Sequence, residues 1–521
     1  MVKIRFAIFL VLAALAAIAV AGCGSSSSSS SSEPSPASLA APGSVVFVEG
    51  NPRPTGELKS NVDSVANTLA GIGNLGDFIV SELESSASSE GEPVDFATEV
   101  EPWLGKVAGV AFSHLEGEEL SEPLIAIQTT NAKETQEFID KQSRGGKSPY
   151  KDFSDEGVDF KVGGSEGNAI GVIGEWAVIA DGKKAFEAAV EASNGESLGD
   201  EDRFQTAIDA ASNGSLADVY VDVGALLEQS GNKIGSQAQE VLQSSGIDPS
   251  EATAVASVIP GSEQIDVYLS SDLGGEKAPS GDVSKLLGTL PADSVAAFAA
   301  SGFGEQLEEA VDNLNETGVP PELEPGELKS TLERAGINLD KIAASLEGAA
   351  VFVEGNSRSN LSGALTVSAN SSEAAEAVAS FGTLLRGARV PGITAVSGKA
   401  SGFSVHSPTL GKKPIAVVAT GSRVAVGYGL PAALKALDAG SGETLSGSAR
   451  YKAAVASLGK APISAFVAGP AALQLAESIV PRSKKGFWEA TRYLKKIGYL
   501  ALGTGSDEEL ATAKLVVGLE R

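Results

Sequence analysis

The sequence predicts an α+β protein made of two homologous modules, each a mainly antiparallel sheet with helices largely on one face. Three observations predict this class: a long internal repeat, short β-branched runs bounded by turn residues, and longer segments with apolar residues at helical spacing. The chain has 521 residues, of which 42% are hydrophobic and 20% charged. One hydrophobic core rarely supports that length, so at least two domains are expected.

The first 22 residues predict a lipoprotein signal peptide. Lys3 and Arg5 form its positive region, and residues 6–21 form an apolar stretch of 16 residues. A membrane-spanning helix needs about 20 apolar residues, so cleavage is expected in preference to retention.

Cys23, the single cysteine of the chain, directly follows the small residues of this segment. A thiol at this position can be alkylated to a diacylglyceryl thioether, and further acyl chains such as palmitate make the attachment durable. We therefore expect lipidation of Cys23 and anchoring of an exported protein to the outer, extracytoplasmic face of the cell membrane. Without a second cysteine, no disulfide is expected.

Residues 23–41 are predicted to comprise the lipidated cysteine and a flexible, Ser-rich linker. Eight consecutive serines, residues 25–32, precede a Pro-containing stretch. Such a tract cannot bury enough apolar area to fold. The folded body is expected to begin at about residue 42.

The internal repeat is clearest where residues 177–208 align with residues 424–455 without a gap, at an offset of 247. The matched residues include Gly182 with Gly429, Gly195 with Gly442, Leu198 with Leu445, Arg203 with Arg450, and Phe204 with Tyr451. A duplication of this length predicts a first, acidic module over residues 42–285 and a second module over residues 286–521.

Three further stretches correspond in the same order with small gaps: 42–47 with 291–296, 104–112 with 346–352, and 123–127 with 363–367. Short β-branched runs predict strands at 170–173, 177–180, 219–223 and 265–269. Helical spacing predicts helices at 185–192, 202–211, 225–242, 373–386 and 471–479. Paired strand runs within 167–182 and 412–429 predict antiparallel hairpins.

The net charge of −28 is unevenly divided. Residues 1–285 hold 17 Lys and Arg against 44 Asp and Glu, whereas residues 286–521 hold 22 against 23. The acidic module would be repelled by phosphate backbones within a screening length of about 8 Å. Aromatic residues are only 5% of the chain, so few rings are present to stack on bases. Nucleic acid is therefore not an expected partner.

Two segments of the first half stand out, residues 42–49 (PGSVVFVE) and residues 102–108 (PWLGKVA). Together with Cys23 and its serine spacer, they resemble a family of exported actinobacterial-type lipoproteins known only as a domain of unknown function. The resemblance covers most of residues 42–521. The second half departs from it, with ASLEG at 344–348 in place of the tryptophan element. The resemblance implies a fold and an extracytoplasmic location, and it implies no functional residue.

The sequence contains no convincing enzyme signature. A nominal nucleophile elbow, GGSEG around Ser165, would need a strand before it, a helix after it and a later histidine. Strand-like residues flank it on both sides, so a hairpin turn is predicted. His114 and His406 occupy unrelated places and are predicted to be partly exposed strand residues. We expect no catalytic residue, no cofactor and no metal site.

Two acidic clusters could supply oxygen ligands, and neither has the spacing of a calcium loop. The cluster at residues 200–202 is better explained by helix capping and by a favourable charge at a helix start. The clusters consist of Asp152, Asp155, Glu156 and Asp159, and of Asp200, Glu201 and Asp202.

One cationic segment near the C-terminus stands out from the acidic background. Its cations face a single acid, Glu489, and are interleaved with Phe487, Trp488 and Tyr493. This pattern is typical of a helix that contacts anionic lipid or an acidic envelope polymer. Docking on the acidic module and a plain solvated surface are equally compatible with it. The cations are Arg482, Lys484, Lys485, Arg492, Lys495 and Lys496.

These features together predict a lipid-anchored envelope protein that is not an enzyme and that acts by binding or as a structural component. The membrane is one expected partner, and an envelope polymer or protein is another. A second hypothesis is a solute-binding receptor with its ligand between the two modules. A third is a hydrolase of unfamiliar type, which would require carboxylates with raised pKa values converging in a cleft.

Overall fold

The structure is a computed structural model. It describes residues 35–73, 94–116, 119–145, 150–163, 167–230, 250, 252–272, 282–304, 308, 311–312, 327–334, 337–369, 372–406, 411–438, 440–507 and 510–520. The predicted signal peptide, Cys23 and the linker up to residue 34 lie outside these residues. No helix among them is long and apolar enough to cross a membrane. The chain divides into two compact units. Unit 1 comprises residues 1–277, 506–514 and 519–521, and unit 2 comprises residues 278–505 and 515–518.

The described part of unit 1 is built on one antiparallel sheet. Its strand order is β4-β5-β6-β7-β3-β2-β1-β8-β9-β10. The predicted hairpin within residues 167–182 is confirmed as β6 and β7. The strands are β1 (Val46–Gly50), β2 (Leu104–Glu116), β3 (Glu119–Thr129), β4 (Lys151–Asp155), β5 (Val158–Gly163), β6 (Asn168–Ile173), β7 (Trp176–Ala180), β8 (Ala217–Asp222), β9 (Thr253–Pro260) and β10 (Gln264–Asp272).

The helices of unit 1 connect these strands, and short 3-10 turns lie at Pro36–Leu39 and Leu198–Asp200. The predicted helices at 185–192 and 202–211 are confirmed. The helix predicted at 225–242 is described only up to residue 230. The helices are α1 (Gly56–Ala70), α2 (Phe96–Glu99), α3 (Ala132–Gly145), α4 (Gly182–Asn194), α5 (Asp202–Asp209) and α6 (Val223–Ser230).

One face of this sheet packs against α4 and α5. Phe186 of α4 stacks on Phe160 of β5, with ring centroids 4.4 Å apart. The same cluster buries Phe204 of α5 and Ala126 of β3. This is the larger core of unit 1.

Helices also lie on the opposite face, so the expectation of helices largely on one face was wrong. Thr129 of β3 meets Thr135 of α3, with 2.6 Å between the hydroxyl oxygens. Leu226 of α6 packs in a second cluster with Ile125 of β3. Residues 125 and 129 point away from Ala126, because side chains alternate along a strand. The central strand β3 is apolar on both faces, and both faces therefore need cover.

The predicted linker ends earlier than expected. The turn Pro36–Leu39 is buried in the main core, and Ser35 caps it by accepting a hydrogen bond from the amide of Ala37 at 3.2 Å. Pro36 lies so close to Gly109 that a Cβ there would stand 2.5 Å from its Cγ. Residues 35–41 therefore belong to the folded body, because their small apolar side chains fit against β2.

The described part of unit 2 has a sheet with the corresponding order, β14-β15-β16-β17-β13-β12-β11-β18-β19. The predicted hairpin within residues 412–429 is confirmed as β16 and β17. The last strand, β20, pairs with β19, and its residues are divided between the two units. The strands are β11 (Ala296–Ser301), β12 (Leu346–Glu354), β13 (Ser362–Ala369), β14 (Ile393–Val396), β15 (Ser401–Val405), β16 (Ile415–Thr420), β17 (Arg423–Tyr428), β18 (Ile463–Ala468), β19 (Ile497–Asp507) and β20 (Leu510–Leu519).

Helices of unit 2 also occupy both faces of their sheet. The main core packs under α11 and α12, whereas Phe381 of α10 meets Phe403 of β15 on the other face, with centroids 5.9 Å apart. The predicted helices at 373–386 and 471–479 are confirmed. The helices are α7 (Ser284–Gly288), α8 (Glu327–Arg334), α9 (Leu339–Ser345), α10 (Glu373–Gly387), α11 (Leu430–Leu437), α12 (Ala449–Leu458), α13 (Gly469–Ile479) and α14 (Lys485–Leu494), with a 3-10 turn at Leu445–Gly447.

Three loop hydrogen bonds recur at corresponding places in the two units. The amide of Leu198 donates to the carbonyl of Ala40 at 2.9 Å, and that of Leu445 donates to Leu290 at 2.8 Å. In the second pair, the amides of Val45 and Val295 donate to the carbonyls of Phe112 and Val353. In the third pair, the amides of Asp222 and Ala468 donate to the carbonyls of Val45 and Val295.

These bonds match residue 45 with residue 295. The alignment of 42–47 with 291–296 was therefore displaced by one residue, which would turn a core position of the strand into an outward one.

A row of apolar residues crosses each sheet on the face opposite the main core, with each residue directly opposite the next on a neighbouring strand. The unit-1 row is Ile170, Ile179, Ile125, Val110, Val48 and Val219. The unit-2 row is Val417, Val426, Leu365, Val351, Phe298 and Ala465.

Candidate functional site

The basic segment, Pro481–Lys496, joins α13 to β19. The chain leaves α13 through the extended residue Val480, and the proline ends any continuation of that helix. Helix α14 then begins at Lys485, and β19 begins at Ile497, directly after the segment. None of the residues of α14 is buried, so this helix packs lightly on its own unit.

Aromatic rings hold the shape of the basic segment. The Trp488 indole N–H donates to the carbonyl of Pro481 at 3.1 Å, which folds the start of the segment back on the helix. Phe487 meets Trp488 edge-on, with centroids 5.2 Å apart. The guanidinium of Arg482 lies 4.0 Å from the Trp488 ring, and that of Arg492 lies 4.5 Å from the ring of Tyr493. The two arginines are thus positioned by rings.

The cations of the basic segment have no ion-pair partner among the residues that the structure describes. Arg482, Lys484, Lys485, Arg492 and Lys495 are exposed, and Lys496 is half-buried. Their only local acid, Glu489, is exposed as well. The six predicted anion-contacting residues therefore lie on one short surface segment and are available to solvent.

The charges at the start of α14 are opposite to those that stabilise a helix. Lys484 and Lys485 lie at the first positions, and no acid is present in the first turn. A helix start carries a partial positive charge, so cations there cost a few tenths of a kcal/mol. Gly486, in the first turn, further weakens the helix. The same arrangement attracts anions, because the ammonium groups and the partial positive charge of the helix start have the same sign.

The comparison with known proteins gives a family and no activity. Residues 10–466 match the family described as Protein of unknown function (DUF3352). The chain belongs to DUF3352. The basic segment lies beyond the matched residues of this DUF3352 protein. Among curated proteins, none matches it.

Two solved structures share weak similarity with this DUF3352 protein. Crystal form I of TP0453 is 12% identical, with a TM-score of 0.26, over 47% of this chain and 82% of that one. Crystal form III of TP0453 is 8% identical, with a TM-score of 0.25, over 49% and 86% of the two chains. Similarity at this level supports no inference about function.

The other residues that the sequence singled out in this DUF3352 protein lie in or beside strands. Ser165 lies outside the described residues, between β5 and β6, which pair as an antiparallel hairpin. His114 lies in β2, 3.6 Å from the carboxylate of Glu122, and His406 follows β15. Across the described ranges, no group of three or more His, Cys, Asp or Glu residues is placed to hold a metal ion.

The two acidic clusters form local contacts. Asp152 pairs with Lys161 at 2.5 Å, so one carboxylate of the first cluster is already neutralised. In the second, the hydroxyl of Ser197 donates to Asp200 at 2.6 Å and lowers the pKa of that carboxyl. Asp200 also accepts from the amide of Ser197 at 3.0 Å, which makes a capping box for the 3-10 turn Leu198–Asp200 and not for α5, the helix that the sequence predicted it to cap.

One pair of carboxylates was missed by sequence reasoning. Glu49 of β1 and Asp218 of β8 are directly opposite each other, and burial raises the pKa of both. Ser35 donates to Glu49 at 2.7 Å, and Ser215 and Ser257 each donate to Asp218 at 2.6 Å. The serines satisfy both carboxylates, which fits a structural pair better than a hydrolase dyad. Phe47 and Glu49 are two residues apart in one strand, so their side chains lie on the same face. The apolar Phe47 was the available signal that Glu49 points inward.

Proposed function

We propose that this DUF3352 protein is an exported lipoprotein, anchored through Cys23 to the outer face of the cell membrane, that acts by non-covalent binding and not by catalysis. In that role, the basic segment is its contact surface for anionic groups of the envelope. The observation that carries this contact surface is the set of exposed cations without acidic partners in the described part of unit 2. The anchor is supported by the signal-like residues 1–22 and by the position of the single thiol.

We also propose that the two units arose by internal duplication. Apart from α7 and α14, their described helices and strands follow one another in the same order, and their strands have corresponding neighbours. The recurring loop hydrogen bonds support the same proposal. The basic segment occupies the connection between β18 and β19, so it distinguishes the second copy by its charge.

The anchor is tested by replacing its thiol. Cys23→Ser is expected to abolish labelling by a radioactive fatty acid and to move the protein from the membrane fraction to the medium, since no other thiol can be acylated. The control combines Cys23→Ser with Ser27→Cys, which restores a thiol at the wrong position and should also remain unlabelled. Fatty-acid labelling that persists in Cys23→Ser would refute the anchor, whereas fractionation alone would not, because the basic segment also contacts the membrane in this proposal.

The basic segment is tested with the mature Cys23→Ser chain, so that binding depends on the folded body. The test variant carries Lys484→Gln, Lys485→Gln, Arg492→Gln and Lys495→Gln. Each cation near an anionic bilayer contributes about 1 kcal/mol, so the loss of four should lower partitioning onto phosphatidylglycerol vesicles about 1,000-fold. If soluble polyphosphate competes with the vesicles for the basic segment, wall-type polyanions are an alternative source of the negative charge that it binds.

The matched control removes the same charge elsewhere. Four exposed lysines, replaced together by glutamine, should leave vesicle partitioning within about twofold, because they are dispersed and lack flanking rings. They are Lys106, Lys399, Lys412 and Lys460. Equal losses in test and control variants would show that only the overall charge matters, and the proposal for the basic segment would be abandoned.

A further inference from the structure

The unit-2 row is exposed where the unit-1 row is buried. Phe298, Val351 and Val426 keep 47%, 36% and 37% of their surface exposed. The unit-1 residues that correspond to the first two, Val48 and Val110, are 5% and 7% exposed. The two rows consist of the same kind of side chain and differ in what covers them.

The helix that follows the last strand of each row, β8 or β18, contributes to this difference. In unit 1, Leu226 of α6 lies four residues past Asp222 and packs in the cluster that buries the row. In unit 2, the residue four past Ala468 is Ala472 of α13. An alanine is too short to give the same cover.

The exposed residues of the unit-2 row, together with the half-buried Leu365, form a continuous apolar band. Phe298, Val351, Leu365 and Val426 lie directly across from one another on four neighbouring strands. At about 4.8 Å between strands, the band is about 15 Å wide. None of these side chains has a polar atom, so this band offers only hydrocarbon contacts to a partner. Exposed apolar patches mark binding to proteins or membranes.

We infer that this side of unit 2 binds the surface of an anionic bilayer, with the unit-2 row against the acyl chains and the basic segment against the headgroups. This inference rests on the proposed function, because it uses the same basic segment. Strand β18 carries one end of the row and continues directly into α13 and then into the basic segment. Hydrocarbon and cations without an ion-pair partner in the described residues are therefore carried by consecutive elements of this unit.

An anionic lipid surface is favoured over a second copy of the chain as the occupant of this apolar band, because its charge is complementary to that of the basic segment. Aromatic residues, cations and an apolar surface together are typical of proteins that bind at the bilayer interface. Exposed Ile479 and Tyr493, at 45% and 37%, add apolar surface on α13 and α14, the helices that follow β18. A second copy of the chain would bring two basic segments to one interface, which like-charge repulsion opposes.

The direct test places one fluorescent label on the Cys23→Ser chain, which has no other thiol. An NBD group is attached at Phe298→Cys or, as a control, at Val455→Cys, an exposed position on α12. With phosphatidylglycerol vesicles, the label at 298 is expected to shift to shorter wavelength and to be quenched by brominated acyl chains. The label at 455 should do neither. A vesicle-bound protein whose label at 298 stays unchanged would overturn the inference.

A substitution test separates this inference from the proposed function. Phe298→Gln with Val351→Thr should lower partitioning onto anionic vesicles about tenfold or more, since burial of these side chains is lost. The control, Leu269→Gln with Val455→Thr, replaces residues of similar exposure outside the row. Thermal unfolding of both variants verifies that they fold.

The outcomes lead to different conclusions. If the row variant binds like the parent while the basic-segment variant loses binding, this inference is wrong and the proposed function stands. If the basic-segment variant binds like the parent, the proposed function fails, whatever the row does. If sedimentation without lipid shows a dimer that the row variant dissociates, the occupant is a second copy, and the inference is overturned.

Discussion

Tyr220 meets Phe204 edge-on, with ring centroids 4.9 Å apart and ring planes inclined by 75°. Unit 2 repeats the contact between Phe466 and Tyr451, at 5.4 Å and 73°. The hydroxyl is on the strand residue in unit 1 and on the helix residue in unit 2. That of Tyr451 donates to the carbonyl of Ser284 at 3.5 Å, whereas that of Tyr220 is buried without a partner among the described residues.

Tyr220→Phe is expected to raise the free energy of unfolding by about 1 kcal/mol, because it removes a buried hydroxyl that makes no hydrogen bond. Burial, with the nearby Asp222 carboxylate, also raises the pKa of this phenol, so it stays neutral at ordinary pH. Urea denaturation of the mature chain measures the change. Phe466→Tyr is the converse substitution and should destabilise unit 2. A loss of more than about 1 kcal/mol in Tyr220→Phe would show that the hydroxyl has a partner.

Asp222 performs two roles that substitution can separate. One carboxylate oxygen accepts from the amide of Ala225 at 2.9 Å at the start of α6, and the other pairs with Arg203. Asp222→Ala should cost about 3 kcal/mol, because both contacts are lost from a buried position. Asp222→Asn retains the cap and should cost less. Lys133→Gln, which breaks an exposed pair with Glu137, should cost under about 0.5 kcal/mol in the same denaturation experiment.

Glu49 gives unit 1 a specific pH dependence. Burial raises its pKa in the folded state, so the folded protein holds this proton more tightly than the unfolded chain. Its stabilising contribution is complete below the unfolded pKa of about 4.3 and is lost as pH rises through the raised value. Glu49→Gln should therefore be more stable than the parent near pH 7, and this gain should shrink toward about pH 4. Glu191→Gln, at an exposed site, should not change the slope, and parallel pH profiles for parent and Glu49→Gln would contradict the prediction.

Gly109→Ala tests whether residues 35–41 are part of the folded body. Its Cβ would stand 2.5 Å from Pro36, so the N-terminal turn must move, at a cost of about 1–3 kcal/mol. Limited proteolysis should then cut the chain near Leu39 faster than in the parent. Gly421→Ala, where a Cβ meets nothing within 4 Å, should leave the digestion rate unchanged. Equal protection in both variants would place the turn outside the core.

Much of the fold could be predicted from local pattern. The β-branched runs around Gly174 and Gly421 mark hairpins, because each run has strand spacing and a turn residue between its halves. The helices on both faces could not be predicted so easily. The run Leu124–Ile127 is apolar at successive positions, which indicates a strand buried on both faces, and such a run is ambiguous in short segments.

The candidate site was predictable in part for a similar reason. Six cations in one short stretch are visible in the sequence because charge is a local property. The pairing of Glu49 with Asp218 depends on β1 lying beside β8, and no local pattern contains that information. The turn at Pro36–Leu39 was missed because the neighbouring serines dominated the composition of the segment.

The buried turn at Pro36–Leu39 shortens the tether. Only 11 residues, 24–34, separate Cys23 from Ser35. For the Ser-rich linker that the sequence predicts, 11 residues correspond to an end-to-end distance of about 20 Å. With Cys23 held in the bilayer as proposed, a linker of this length gives the folded body a local concentration at the lipid surface in the millimolar range. A contact that is weak for the free protein would then be occupied for much of the time, and a longer serine tract would lower this local concentration.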